Sequence, residues 1–467
     1  MGSTFHGVIA FALMTALLVI GSLLRSRLPW LRASLIPGSI VAGALGFAAL
    51  SLGWVPGYGP QDFTALAFHF FTLSFMSLCL TGSPPAADGR ERQSVIGGGL
   101  WLTLMWTASL GVQAVIGYAV MSGFDLISGA DLDPLLGAIA THGFTQGPGQ
   151  ALTYGTIWQE DYGIADAAQV GVIFASMGFI AAFLVGVPMA RYFLKRGRNA
   201  NRHSTLDDDF ISGFHRPDTR PSAGRQISHA GTVDSFAWHL GLLGVAYVLT
   251  YLWLSLMQPL VAGNQLLSVF FSYNLFFAHG LTICVLMRLA IDRLGWAHRV
   301  DDDTFKRITS ASVDFMVVAT LMSIQIAVLA ALLLPILLVA ACITLVTFIG
   351  ALIIGRLSGP LGAERAVTAF GCCCGSTGTG LLLLRMLDAD FSTSVPKELA
   401  FFNIAILIVN IPTLFFFAPI APSLSPATYL LIFGGYALVT LACIPLLLRW
   451  QRRRDAGAAS HTTERPA

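Results

Sequence analysis

The chain has 467 residues, 55% of them hydrophobic and only 11% charged, with a mean hydropathy of +0.72, a balance that excludes an ordinary water-soluble globular domain. A formal net charge of +2, without a basic stripe interleaved with aromatics, excludes a nucleic-acid footprint. Seven cysteines (Cys79, Cys284, Cys342, Cys372, Cys373, Cys374, Cys443) lie in or beside apolar runs without metal-site spacing, so neither a disulfide framework nor a transition-metal centre is implied.

The N-terminal apolar run lacks a basic leader and is followed by Arg25, Arg27 and Arg32 rather than a small-residue cleavage site, which reads as a retained first helix. Apolar blocks long enough to cross a bilayer predict an all-α polytopic membrane protein with about eleven transmembrane helices. They fall near 5–24, 36–53, 63–80, 95–121, 167–190, 236–260, 265–287, 312–330, 335–355, 399–417 and 427–448. With the N-terminus outside, every basic loop falls on one side: Arg25 to Arg32, Arg90/Arg92, Arg191 to Arg202, Arg288 to Arg307, Arg356/Arg365 and Arg449 to Arg454. The opposite loops, near 54–62, 122–166, 261–264, 331–334 and 418–426, carry no Lys or Arg, which places the C-terminus in the cytoplasm.

The polar stretch 195–231 reads as a flexible cytoplasmic linker between a first membrane repeat, 1–194, and a second, 232–421. An extra helix at 422–450 and a cytoplasmic tail at 451–467 complete the chain. Each repeat holds one segment too short and too glycine-rich to span: 134–155, with GAIATHGFTQGPGQALTYG from Gly137, and 366–384, with RAVTAFGCCCGSTGTGLLLL starting one residue earlier at Arg365. Gly143 and Gly371 share an offset with Gly147 and Gly375, the kind of weak internal symmetry a duplication leaves. The first segment must enter and leave from outside and the second from the cytoplasm, so the repeats are inverted and each carries a re-entrant hairpin, the pattern of secondary transporters. The rival reading is close helix packing through small residues.

Irregular backbone at membrane depth is tolerated where it lines a wet cavity, and there its N–H groups hold an anion and its carbonyls a cation. Thr145, Gln146, Gly147, Gly149 and Gln150 form the first tip and are candidate substrate ligands. Ser376, Thr377, Gly378 and Thr379 form the second, with oxygen chemistry suited to a hard cation and N–H groups suited to a carboxylate. Arg385 either pairs with an anion in the core or snorkels to the cytoplasmic surface. Asn403 and Asn410, seven apart, share a helix face and either line the cavity or bond between helices. Asn274, His279 and Asp314 are secondary candidates, and His142 and His239 offer titration near neutral pH or ordinary hydrogen bonding. The run Cys372 to Cys374 reads as small packing residues.

Three stretches resemble the bacterial sodium/glutamate symporter family: LDPLLGAIATHGFTQGPGQALTYG from Leu132, DYGIADAAQVGVIFASMGFIAAFLVGVPMARYFLKRG from Asp161 and GSTGTGLLLLRMLDADF from Gly375. The resemblance implies two inverted five-helix repeats in a homodimer of the bacterial inner membrane, with a mobile core that carries its substrate as an elevator. It also implies L-glutamate or a related small anionic amino acid as substrate, sodium as coupling ion and no other cofactor. Sodium would lie at Ser376, Thr377, Thr379, Asn403 and Asn410. One departure is that this chain has Gly147-Pro148-Gly149-Gln150-Ala151 where members most like the enterobacterial carrier have Gly-Gly-His-Gly-Thr. The alternatives are a proton- or sodium-coupled carrier of another small organic anion, and a channel. An enzyme is not expected, because the helices hold no HExxH, GxSxG or clustered carboxylates.

Overall fold

The computed structural model describes residues 2–82, 89–201, 208–222, 224–229, 231–389 and 391–463, with the side chains at 2–3, 89–93 and 451–463 left aside. Among the described residues there are helices and turns and no strand. In chain order the described residues begin with α1 (Gly2–Arg27), α2 (Gly38–Ser51), α3 (Gln61–Leu80), α4 (Gly89–Ser128), a broken pair of turns at Leu135–Ala138 and Ala140–Phe144, α5 (Pro148–Glu160) and α6 (Ala167–Lys195). A short helix, α7 (Asp208–Ser212), precedes α8 (Ser235–Val261), α9 (Phe276–Arg293), α10 (Asp302–Met322), α11 (Leu333–Leu357), α12 (Gly362–Cys374), α13 (Thr377–Arg385), α14 (Val395–Ile411) and α15 (Pro426–Thr463).

Among the described residues nine helices are long and apolar enough to cross a membrane. The predicted span at 36–53 forms the 14-residue α2, about 21 Å long at 1.5 Å per residue against a hydrocarbon core of about 30 Å. The span predicted at 312–330 begins ten residues earlier, because Asp301 caps α10: its carboxylate accepts from the Thr304 backbone N–H at 2.9 Å and hydroxyl at 2.7 Å. The span predicted at 265–287 is broken: Gln265–Phe270 is a separate turn capped by Asn264, and the long helix starts at Phe276 after a 3-10 turn. Basic residues occupy the last turns of α1, α6, α9 and α11, the helix ends at which positive charge is favoured.

The helices sort into two bundles. In the first, α3 and α10 pack along each other, flanked by α1, α2, α8 and α9; in the second, α4, α6, α11, α14 and α15 enclose both hairpins. The bundles meet where α3 and α10 touch α5 and α6, and Gln169 of α6 accepts from the Gln325 N–H just beyond α10 at 3.1 Å. The main apolar core runs through both bundles, and a second cluster, with Met76, Leu243, Phe276 and Phe305, joins α3, α8, α9 and α10. Outward rows such as Val248, Leu252, Leu256 and Leu260 on α8 and Leu334, Leu338 and Leu345 on α11 form a surface suited to acyl chains.

Candidate functional site

The first hairpin descends through Leu135–Ala138 and Ala140–Phe144, turns at Gly147 with φ +87°, and returns as α5 with Pro148 in its first turn. The second descends as α12, turns at Gly375 and returns as α13, which Ser376 caps by accepting from the Thr379 N–H at 3.3 Å. The tips abut: a Cβ placed on Gly147 would lie 3.5 Å from the Gly375 carbonyl oxygen, and one on Gly178 of α6 would lie 2.3 Å from that of Cys374. Two helix C-termini and two helix N-termini therefore converge at one place. Carbonyl ends suit a cation and amide ends an anion, without any charged side chain.

Around the second tip Ser376 and Thr377 are half-buried, Gly378 is exposed and Thr379 is buried. The Thr377 hydroxyl donates to Asn403 Oδ1 at 2.9 Å, and the Ser376 and Thr379 hydroxyls lie 3.2 Å apart. Asn403 and Asn410 are brought to different partners: the fully buried Asn410 donates to Thr107 of α4 at 3.0 Å, and its Oδ1 has no protein donor. Seven residues of helix, about 10 Å, separate the two amides along α14.

The first tip is buried throughout, Thr145, Gln146, Gly147, Gly149 and Gln150 included. Thr145 is held by α4, since Trp106 Nε1 donates to its carbonyl at 2.9 Å, and Thr141 donates to the Leu110 carbonyl at 2.7 Å. Gln146 Oε1 lies 3.1 Å from His142 Nδ1, which leaves Gln146 Nε2 and His142 Nε2 buried without a protein partner. His142 sits edge-on against Tyr154 and Trp158 of α5. These unpaired atoms fit a polar ligand at the tip. Gly149 lies directly beneath the ring of Phe71, the contact between hairpin one and α3.

Three residues that the reading of the sequence passed over tie the site together. Gln113 Nε2 reaches the Ser109 hydroxyl, the Thr347 hydroxyl of α11 and the Cys373 carbonyl of hairpin two at 2.9–3.0 Å. Trp106 and Thr107 hold the first tip and Asn410. Polar residues on the otherwise apolar α4 were the available signal. Cys372, Cys373 and Cys374 are buried in the last turn of α12.

The secondary candidates lie elsewhere. His239 Nε2 accepts from the Asp301 N–H at 2.8 Å, His279 contacts the Phe270 carbonyl at 2.9 Å, Asn274 is half-buried in the 3-10 turn and Asp314 is exposed on α10. Arg385 stands at the far end of α13 from the tip, its guanidinium 5.0 Å from the Phe210 ring and 5.3 Å from the Phe391 ring.

The base of hairpin two is pinned by Asp388, a carboxylate outside the spans' apolar length. Asp388 is buried, which acts to raise its pKa, but hydrogen bonds from Asn201, Thr393 and Ser392 outweigh burial and leave it below the ordinary range. A lowered folded pKa contributes stability above the unfolded value of about 3.9 and loses it as pH falls through the folded value. The thermal midpoint of the wild type is therefore expected to exceed that of Asp388→Asn by a constant gap from pH 7 to about pH 5, closing below about pH 4; a gap that widens in acid would contradict this role.

Residues 4–382 match the sodium/glutamate symporter family. The chain is 25% identical over 400 residues to the sodium/glutamate symporter of Escherichia coli (strain K12), covering 83% of this chain and 89% of that protein. The same identity and coverage relate it to the sodium/glutamate symporter of Shigella flexneri.

Proposed function

Since the chain belongs to the sodium/glutamate symporter family, a family of multi-pass membrane transporters and not of enzymes, we propose that it couples downhill sodium entry to uptake of glutamate or a related small anionic amino acid. The observation that carries this reading is the meeting of the two hairpin tips, which brings four helix ends and the Thr377–Asn403 pair together. The anion takes the amide ends at Thr145 to Gln150 and Ser376 to Thr379; sodium takes the oxygens of Ser376, Thr377, Thr379 and Asn403, with Asn410 Oδ1 as a separate acceptor. Each ion offsets the charge of the other, so the loaded site crosses the low-dielectric interior at lower cost than either ion alone.

Two inverted repeats account for the pairing of like elements: α1 with α8, α2 with α9, α3 with α10, α4 with α11, hairpin with hairpin and α6 with α14, with α15 left over. In this reading the hairpin-bearing bundle is the moving elevator and the other bundle its scaffold, in a homodimer of the bacterial inner membrane. The basic helix ends face the cytoplasm and the N-terminus lies outside.

The test is uptake of radiolabelled L-glutamate into liposomes under an inward sodium gradient, compared with potassium alone and a proton gradient alone. Accumulation is expected with sodium only, and Thr377→Val is expected to raise the sodium concentration for half-maximal uptake about tenfold, equivalent to about 1.4 kcal/mol of ion binding. Equal uptake under a proton gradient alone would remove the sodium assignment. A saturable flux of other anions but not glutamate would remove the substrate.

A further inference from the structure

The linker between the repeats is bonded to both bundles. As the chain leaves α6, the Ala200 N–H donates to Glu364 Oε1 at 2.6 Å, and Asn201 Nδ2 donates to Asp388 at 3.0 Å and to Ser392 at 2.9 Å. Glu364 is in the first turn of α12 and Asp388 lies three residues beyond α13, so this stretch holds both ends of hairpin two. Next, α7 rests against the end of α1, where Arg25 donates to the carbonyls of Phe210, Ile211 and Ile36 at 3.1–3.3 Å. Asp209 ties the following loop together through Thr219, His215 and Arg216.

Between these contacts lies a cavity of about 290 Å³. Its walls are Ser22, Arg25 and Pro37 from the first bundle and Leu382 and Arg385 from hairpin two, and its roof is the linker from Asp209 to His215. Phe210 is therefore joined to both sides of the seam, to Arg25 through its carbonyl and to Arg385 through its ring. Hairpin two cannot move relative to α1 without breaking one of those two contacts. The carbonyl contact is part of a three-bond set on Arg25, whereas the ring contact is a single cation–π interaction, so the ring contact is the one to yield.

We propose that α7 is the cytoplasmic gate of the transport pathway: Phe210 clasps Arg385 to close the seam between the bundles, and its release opens the cavity as the route by which the carried anion leaves past the Arg385 guanidinium, which keeps its contact with Phe391. The proposal rests on the transporter reading above, in that it assigns the cavity an outflow. The clasp itself is testable without any transport.

The probe is a cysteine at Leu382, on the cavity wall, introduced where Cys79, Cys342 and Cys443 have been changed to serine, and labelled in detergent micelles with a charged thiol reagent. Phe210→Ala is expected to speed labelling of Leu382→Cys about fivefold, the factor a lost cation–π contact supplies. Arg385→Gln, which also gives up the Phe391 ring, is expected to give at least that factor, and the double variant no more than Arg385→Gln alone, because the Phe210 contact is already gone in it. Phe210→Leu keeps the apolar bulk and removes the π face, so it is expected to match Phe210→Ala if the clasp is cation–π. Labelling unchanged in all three variants, with wild-type thermal midpoints, would make the linker a static staple and overturn the gate; additive effects of Phe210 and Arg385 would overturn the clasp. If labelling behaves as expected but glutamate does not cross with sodium, the gate stands and the substrate assignment falls.

Discussion

Arg365→Met is expected to destabilise the protein by about 3–5 kcal/mol, the usual result of leaving one charge of a buried pair uncompensated. Arg365 sits in the first turn of α12 and is 7% exposed, and Glu398 in the first turn of α14 is fully buried. The pair is bidentate: Arg365 Nε donates to Glu398 Oε2 at 2.8 Å and Nη2 to Oε1 at 2.7 Å, while Nη1 donates to the Ser358 carbonyl at 2.7 Å. Ser394 adds a further donor to Glu398 at 2.8 Å. The carboxylate lies against α4, where a Cβ on Gly98 would fall 2.0 Å from Glu398 Cδ. Three elements of the hairpin-bearing bundle thus meet at one ion pair. The check is thermal unfolding in micelles. Arg365→Met should lower the midpoint sharply, Arg365→Met with Glu398→Leu should recover most of the loss because apolar replacement of the whole pair is often near neutral, and Gly98→Ala should mimic the single variant by displacing the carboxylate. An unchanged midpoint in Arg365→Met would mean that the pair contributes little.

How much of this was legible beforehand depends on the range over which each signal acts. The long helices declare themselves locally, through apolar runs, and glycines mark the turns at Gly147 and Gly375. The start of α10 was misplaced because its first turns are polar: hydropathy marks where lipid begins, while the Asp301 cap marks where the helix begins. The break before α9 is marked locally by Ser272 and Asn274, neither of them a glycine or proline, within a largely apolar stretch. Partners distant in sequence carry no local sign. Arg365 read as one more basic residue of a cytoplasmic loop, because Glu398 is 33 residues away. Asn403 and Asn410 share a helix face by spacing, yet only tertiary packing sends one to Thr377 and the other to Thr107. Composition likewise made the linker look like a free connector, since hydrogen bonds such as that of Ala200 to Glu364 leave no trace in polarity.

The contact of Gly149 with Phe71 yields the other large effect, and it separates two reasons a hairpin tip needs glycine. A Cβ on Gly149 would fall 1.8 Å from Phe71 Cγ, and Phe71 cannot swing aside because its ring packs between Phe75 at 4.9 Å and Phe277 at 5.1 Å. Gly149→Ala must therefore push hairpin one away from α3, and a displacement of that order at a positioned site is expected to lower sodium-driven uptake about 100-fold. Phe71→Ala in the same chain opens the space and should restore uptake to within about tenfold of wild type, the residual deficit reflecting the cavity left behind. Gly147 is different: its φ of +87° with ψ near 180° is backbone that only glycine adopts readily, and its nearest neighbour, the Gly375 carbonyl, is 3.5 Å from an added Cβ. Gly147→Ala should also lose uptake, but through strain in the turn, so Phe71→Ala should not rescue it. Rescue of both variants by Phe71→Ala would mean that the aromatic lid alone controls the tip; rescue of neither would mean that Phe71 does not set its position.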